Sequence, residues 1–209
     1  DVRDEGYNVE WSTEFTLEKA HDEYVKAYII LHLLDALFQE GSFTSPSFIF
    51  NMSIGYDLEG IKTEKMQQYI DSMIDATKSP VFDSYIDSLK ALIEEGSFLD
   101  GTDWEPLYKK LTSLPAKISH NISPSITLST MHGCPPAEIE AICSYVLSEK
   151  KLNTFVKLNP TLLGYDTVRE ILDTLGYQYL HISPEAFSHD LQYGDAVSML
   201  HRLVDLAKK

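Results

Sequence analysis

Two segments of the chain place reactive side chains at the ends of short apolar runs. Ser125-Ile-Thr-Leu-Ser-Thr-Met-His-Gly-Cys-Pro-Pro136 stops in Ser129, Thr130, His132, Gly133 and Cys134. Thr154-Phe-Val-Lys-Leu-Asn-Pro160 stops in Lys157, Asn159 and Pro160. Each reads as a strand that ends abruptly in polar groups, with a helical pattern between the two. In a β/α architecture, polar groups at the C-terminal ends of successive parallel strands are where ligands and chemistry sit.

The residue types define the chemistry on offer. Cys134 is read as a general acid or nucleophile, its thiol activated by the positive end of the following helix; the bland reading is a small residue beside a Gly-Pro turn. His132, two residues earlier, is a proton shuttle or a hydrogen-bonding loop residue. Lys157 interrupts an apolar strand, and a lysine there is costly to bury without a partner. It either reaches an anion or a cofactor ring, or lies at an exposed strand end. Asn159 and Ser129 close their strands with hydrogen-bonding groups; Asn51 and Ser53 of an earlier strand either line the same mouth or satisfy local backbone groups. Cys143 falls on an apolar helical stripe and reads as inert core. His181 reads as a core histidine within a strand; His21, His32, His120 and His201 read as structural. No pair of histidines has metal-ligand spacing beside a carboxylate, and no Gly-rich phosphate loop, dinucleotide fingerprint or nucleophile elbow is present.

The elements that would position these groups follow from periodicity. Thr16 caps a helix from about Leu17 to Glu40, with Tyr24, Tyr28, Leu31, Leu34 and Phe38 at helical spacing, and Gly41 ends it. Strands are predicted near 48–53, 125–129, 154–158 and 178–182. Helices are predicted from Thr63 to about Ala76, from Pro80, from Trp104 to about Lys117 with a break at Pro115, from the Pro135-Pro136 step, from Tyr165 to Leu175, and from about Asp195 to Leu206. Gly176 suits a helix C-terminus. Alternation of strand and helix implies a parallel sheet with right-handed crossovers. Four strands in 209 residues fall short of an eight-stranded barrel, which takes about 250 residues. The expected fold class is therefore α/β: either a small open domain or a partial TIM barrel, with extra helices at about 80–118 between the first and second strands.

Composition narrows the function classes. The net charge of −15 argues against nucleic acid or an anionic membrane as partner. No apolar run reaches the roughly 18 residues of a membrane span. Two cysteines make neither a disulfide framework nor a zinc or iron-sulfur ligand set, so a reducing, cytoplasmic compartment is expected. With 44% hydrophobic and 11% aromatic residues the chain can bury a sizeable core. The opening Asp1-Val2-Arg3-Asp4 reads as an internal cut in a longer protein.

Four blocks carry a resemblance: Asp4–Thr13, Phe48–Ile61, Leu128–Pro136 and Phe155–Tyr165. Together they resemble the selenate reductase subunit family of large flavin and iron-sulfur oxidoreductases, which is similar to glutamate synthase small subunits and dihydropyrimidine dehydrogenase. The resemblance implies that residues 1–209 are the central segment of a dihydroorotate-dehydrogenase-like (β/α)8 barrel of the FMN type. Lys157-Leu-Asn-Pro160 stands where relatives have Lys-Leu-Thr-Pro, so Lys157 resembles the lysine that contacts the flavin ring. Thr127-Leu-Ser-Thr-Met-His-Gly133 stands where relatives have Asn-Leu-Ser-Cys-Pro-His-Gly. Thr127 and Ile182-Ser183 depart from the asparagines of a pyrimidine site, and Cys134 is the nearest match to the relatives' acid–base residue.

The implied activity is flavin-dependent electron or hydride transfer to a small-molecule substrate. FMN would be held by the full-length barrel but not by this fragment, and iron-sulfur clusters and FAD or NAD(P)H would sit in other domains of the polypeptide. The alternative is a non-catalytic scaffold barrel that has lost its flavin and supports iron-sulfur electron-transfer domains. The fragment alone is expected to be inactive, and its open sheet edges to make it dimerise or aggregate.

Overall fold

Three short segments build the sheet, the first two alternating small polar and apolar residues. In the computed structural model, which describes residues 16–39, 45–129 and 134–208, β1 is Asn51–Ile54, β2 is Ser125–Ser129 and β3 is Asn153–Lys157. They pair in parallel in the order β1-β2-β3. The register aligns Asn51 with Ser125 and Asn153, Ser53 with Thr127 and Phe155, and Ser129 with Lys157. Side chains two residues apart share a face. One face therefore carries Met52, Ile54, Ile126 and Leu128, all buried. The other carries Asn51, Ser53, Ser125, Thr127, Ser129, Asn153, Phe155 and Lys157. Parallel strands covered on both faces read as continuous apolar runs; these alternate, because one face is wet.

The chain divides into two compact units, Asp1–Phe50 with Thr63–Pro124 and Asn51–Lys62 with Ser125–Lys209. In the first, α1 (Leu17–Phe38) is capped by Thr16, whose hydroxyl accepts from the Lys19 N–H at 3.3 Å. Its predicted apolar stripe is corrected. Ala20, His21, Val25, Tyr28, Ile29, His32, Ala36 and Leu37 are buried, whereas Leu31, Leu34 and Phe38 are exposed. The buried stripe is made of small and aromatic side chains that admit close packing of the Phe48 and Phe50 rings, 5.0 Å from His32 and 5.5 Å from Tyr28. That grip also explains why β1 starts at Asn51 and not near 48. Gly41 lies outside the described residues.

Helix α3 (Glu64–Ile74) and α4 (Phe82–Glu95) pack on α1. The helix predicted over 104–117 is a series of turns: 3-10 segments at Glu105–Leu107 and Pro115–Lys117 flank the short α5 (Tyr108–Leu111). Pro106 and Pro115 both stand at the first or second position of a 3-10 turn and interrupt a continuous helix.

The Tyr28 hydroxyl donates to the carbonyls of Ser119 and Asn121 at 3.1 and 3.3 Å, and burial raises its pKa to about 12. Tyr28→Phe should cost about 1–2 kcal/mol in a denaturant titration, because two carbonyls lose their donor. Buried His21 and His32 have Nε2 atoms without a hydrogen-bond partner. Burial lowers both pKa values below 6.5, against a smaller upward pull from Asp22 and Asp35. Stability from these neutral rings is therefore complete above pH 6.5 and lost as pH falls through the depressed folded-state values. Melting temperatures measured from pH 8 to pH 5 should fall less steeply in the His21→Phe, His32→Phe double variant than in the parent.

In the second unit, the short α2 (Leu58–Ile61) follows β1. Helix α6 (Pro136–Ser148) starts at the Pro-Pro step, lies against β3 and buries Ile139, Ile142, Cys143 and Val146. Burial raises the Cys143 thiol pKa to about 12, as befits core. After β3, a 3-10 turn at Pro160–Leu163 leads to α7 (Tyr165–Thr174), α8 (Pro184–His189) and α9 (Tyr193–Ala207). Helix α9 packs on α6, joined by a two-pronged ion pair of Arg202 with Glu140 at 2.7 Å per contact. Gly176, at φ +88°, ends α7: its N–H bonds the Asp173 carbonyl, and the Tyr177 N–H reaches back to Leu172. No strand forms over 178–182, a correction to the predicted fourth strand. Arg169 instead holds the segment in a turn by donating to the carbonyls of Tyr177 and Leu180 at 2.9 and 2.7 Å. His181 is accordingly exposed and not a core histidine. No helix among the described residues is long and apolar enough to cross a membrane.

Candidate functional site

The C-terminal ends of β2 and β3 gather most of the predicted site residues into two adjoining groups. The first lies on the open face of the sheet. Ser129 and Lys157 are register partners in its last row, Ser129 half-buried and Lys157 exposed. Exposure resolves the lysine: it stands on the wet face and is not a buried charge in the strand. Two rows deeper, Asn51 is fixed from both sides. Its Nδ2 donates to Thr127 Oγ1 at 2.7 Å, and the buried Ser125 hydroxyl donates to its Oδ1 at 2.8 Å. The described strand residues of this face include one cation and no carboxylate, in a chain with 32 acidic residues.

The second group surrounds the thiol. Cys134 is half-buried, two residues ahead of α6. With Asn159, Thr161 and Asp190 it lines a cleft of about 10 Å³, walled by Ile139 and Leu158; that is room for about one water. Asn159 precedes the 3-10 turn, its carbonyl accepting from the Leu162 N–H at 3.2 Å. Asp190 is buried at 7% exposure and accepts from the Thr161 hydroxyl at 2.8 Å. This bond pins the loop after β3 to the turn after α8.

Two further carboxylates act on the thiol. Asp57 caps α2 by accepting from the Gly60 N–H at 2.7 Å, and Glu138 accepts from the Leu58 N–H at 2.9 Å. Gly60 permits this turn because a Cβ there would stand 2.8 Å from the Tyr56 ring. Burial first, then the charges of Glu138 and Asp57, push the Cys134 thiol pKa above 9.0. Burial and these charges work against the expected activation of the thiol by the helix N-terminus.

His132 and Thr130 lie outside the described residues. The structure brings Ser129 beside Lys157 and Cys134 beside Asn159, and it ties Asn51 to Thr127. Asp190, Thr161, Asp57 and Glu138 were not foreseen. Only Glu138 had a signal, an acid in the first turn of a predicted helix. Among the described residues no group of three His, Cys, Asp or Glu is placed to hold a metal ion. A roomier apolar groove of about 180 Å³, lined by Ile29, Ile30, Leu33 and Leu92 of the first unit, holds none of the predicted site residues.

Comparison with known proteins agrees with this architecture. "Putative oxidoreductase YgfK" of Escherichia coli strain K12 is 56% identical over 209 residues, and the protein of that name from E. coli O157:H7 is equally similar. Each comparison covers 100% of this chain and 20% of the relative, so the chain spans about one fifth of the length of the curated relatives it matches. No solved structure matches it significantly. Residues 1–209 match the family described as the N-terminal TIM-barrel domain of oxidoreductase YgfK, and the chain belongs to that family of oxidoreductases.

Proposed function

We propose that the open polar face and the adjoining thiol cleft form part of a flavin-dependent redox site in a longer, multidomain oxidoreductase. The site would serve electron or hydride transfer to a small oxidised or unsaturated substrate. One observation carries the reading. Lys157 and Ser129 share the last row of an open sheet face, and that face has hydrogen-bonding groups and no carboxylate among its described strand residues, in a strongly acidic chain.

The side chains present fit the ring end of an FMN. Lys157 would set its ammonium beside a ring that becomes anionic when reduced, with Ser129 and Asn159 offering hydrogen bonds at the rim. A bound flavin supplies one- and two-electron exchange. The described residues offer no Gly-rich phosphate loop, so the phosphate end would be held by other parts of the polypeptide. Cys134 would deliver a proton to the substrate from a thiol kept neutral by its surroundings, and His132, near in sequence, would relay protons to it. Iron-sulfur clusters and FAD or NAD(P)H would belong to other domains of the same polypeptide, which are the partners of this one.

The test is the colour and content of the purified full-length protein. Bound FMN, identified after denaturation and counted separately from FAD, supports the reading. Reoxidation of the reduced protein by a panel of small oxidised compounds, selenate among them, then identifies the substrate. A protein that holds FAD alone supports the second reading, a scaffold barrel. That reading is favoured by the interlocking of Asn51 with Thr127 and Ser125, which engages side chains a ligand would otherwise use.

A further inference from the structure

Helices α1 and α4 pack together in the first unit and leave a groove of about 180 Å³, lined by Ile29, Ile30 and Leu33 of α1 and by Leu89 and Leu92 of α4. The polar residues along it are engaged elsewhere. Lys26 Nζ contacts Asp22 at 2.6 Å and Glu23 at 3.2 Å, and the Tyr85 hydroxyl donates to Asp22. Lys26 and Tyr85 therefore give the groove only carbon surface. The apolar surface runs on along α1 through Leu34 to Phe38, in steps of four residues from Ile30. Phe38 meets the Trp104 ring edge-on at 5.7 Å. Ile30 is 54%, Leu92 39% and Phe38 72% exposed. Contiguous apolar surface of this kind marks an interface.

We propose that this groove seats an amphipathic helix from a part of the same polypeptide outside the barrel, its apolar stripe flanked by Lys and Arg. Four observations select that occupant. A furrow between two helices accepts the side-chain ridge of a third, whereas this one offers no polar atom to orient a small molecule. A (β/α)8 barrel places one helix after each strand, yet β1 is followed by α2, α3 and α4 before β2. Helix α4 is thus surplus to the repeat, and the barrel's own strands and helices do not account for the groove it walls. The chain spans one fifth of the length of its relatives, so ample polypeptide lies elsewhere. Finally, α1 and α4 each carry four carboxylates, against two lysines in α1 and one in α4. This balance attracts a basic helix, and the net charge of −15 repels a second copy. The inference stands on the groove alone, independently of the flavin.

Photo-cross-linking in the full-length protein tests it. A benzophenone amino acid is placed at Ile30 or at Leu92, and for comparison at Lys90, an exposed position on the far side of α4. Both groove positions should cross-link within one chain to a single segment outside the barrel, rich in Lys and Arg, and Lys90 should not. Leu92→Ser should lower the yield from Ile30 at least about tenfold, the loss expected when a central apolar anchor is removed. Raising the salt should lower it further. Cross-links to other strands or helices of the barrel overturn the proposal. So do cross-links between isotopically light and heavy copies in a mixed sample, because a second copy is then the occupant. A groove yield no higher than that of Lys90 overturns it as well.

Discussion

Replacing Lys157 by Met in the full-length protein should lower flavin-dependent turnover by about 100- to 1,000-fold, the size of loss that removal of one preorganised donor causes where charge develops in a transition state. The substitution isolates the charge. Lys157 is exposed at the end of β3, its strand neighbours Phe155 and Val156 are untouched, and Met keeps the length of the aliphatic stem. Folding should therefore be unaffected by circular dichroism. The diagnostic readout is the midpoint potential of the bound flavin. An ammonium beside the ring favours the reduced anion, so its loss should move the potential downward, whereas a purely structural lysine would leave the potential where it was. Lys157→Arg should restore part of both quantities. An unchanged potential and turnover in Lys157→Met would remove the flavin from this face.

Cys134→Ala carries the second large effect, about a 100-fold or greater loss in proton-coupled turnover, in line with removal of a general acid. Cys134→Ser should retain part of it. The raised thiol pKa gives an independent check that needs no substrate. Alkylation by iodoacetamide should be slow at pH 8 and should accelerate only above pH 9, because burial and the carboxylates of Glu138 and Asp57 oppose the thiolate. Buried Cys143 should remain unmodified in the native protein, so the reaction reports one thiol. Glu138→Gln removes one opposing charge and should shift the alkylation profile to lower pH. Rapid alkylation at pH 7 would show an activated nucleophile and refute the assignment of a neutral acid.

Where the chain repeats a short rule, the fold could be read from it. Ser125-Ile-Thr-Leu-Ser forms its strand where expected, and its alternation with a period of two accounts for the polar face that the structure shows. The Pro135-Pro136 step marked the start of α6, and the spacing of Ile139, Ile142, Cys143 and Val146 marked its buried side. The same spacing logic failed on α1, because Leu31, Leu34 and Phe38 advertise hydrophobicity while the packed face uses Ala20, Ala36 and two histidines. Whether an aromatic segment pairs depends on neighbours distant in sequence. Tyr177–Ile182 has strand composition, yet the side chain of Arg169 satisfies its carbonyls locally.

The site was legible to the same degree. Lys157, Asn159, Ser129 and Cys134 were visible because they end strands or begin a helix. The state of the thiol was not, because it is set by Asp57 and Glu138, one of them 77 positions away in the chain. Asp190 escaped notice for the same reason: only the folded loop brings it to Thr161.

The rows of Asn51, Ser53, Ser125, Thr127 and Ser129 bear on depth. Barrels usually plug their centres with tiers of branched aliphatic residues, and these strands supply hydroxyls and an amide instead. Adjacent tiers lie about 6.6 Å apart along a strand. At the Lys157 end the top tier carries no branched aliphatic side chain, and one step below it the Ser53 and Thr127 hydroxyls stand in one row with the Phe155 ring.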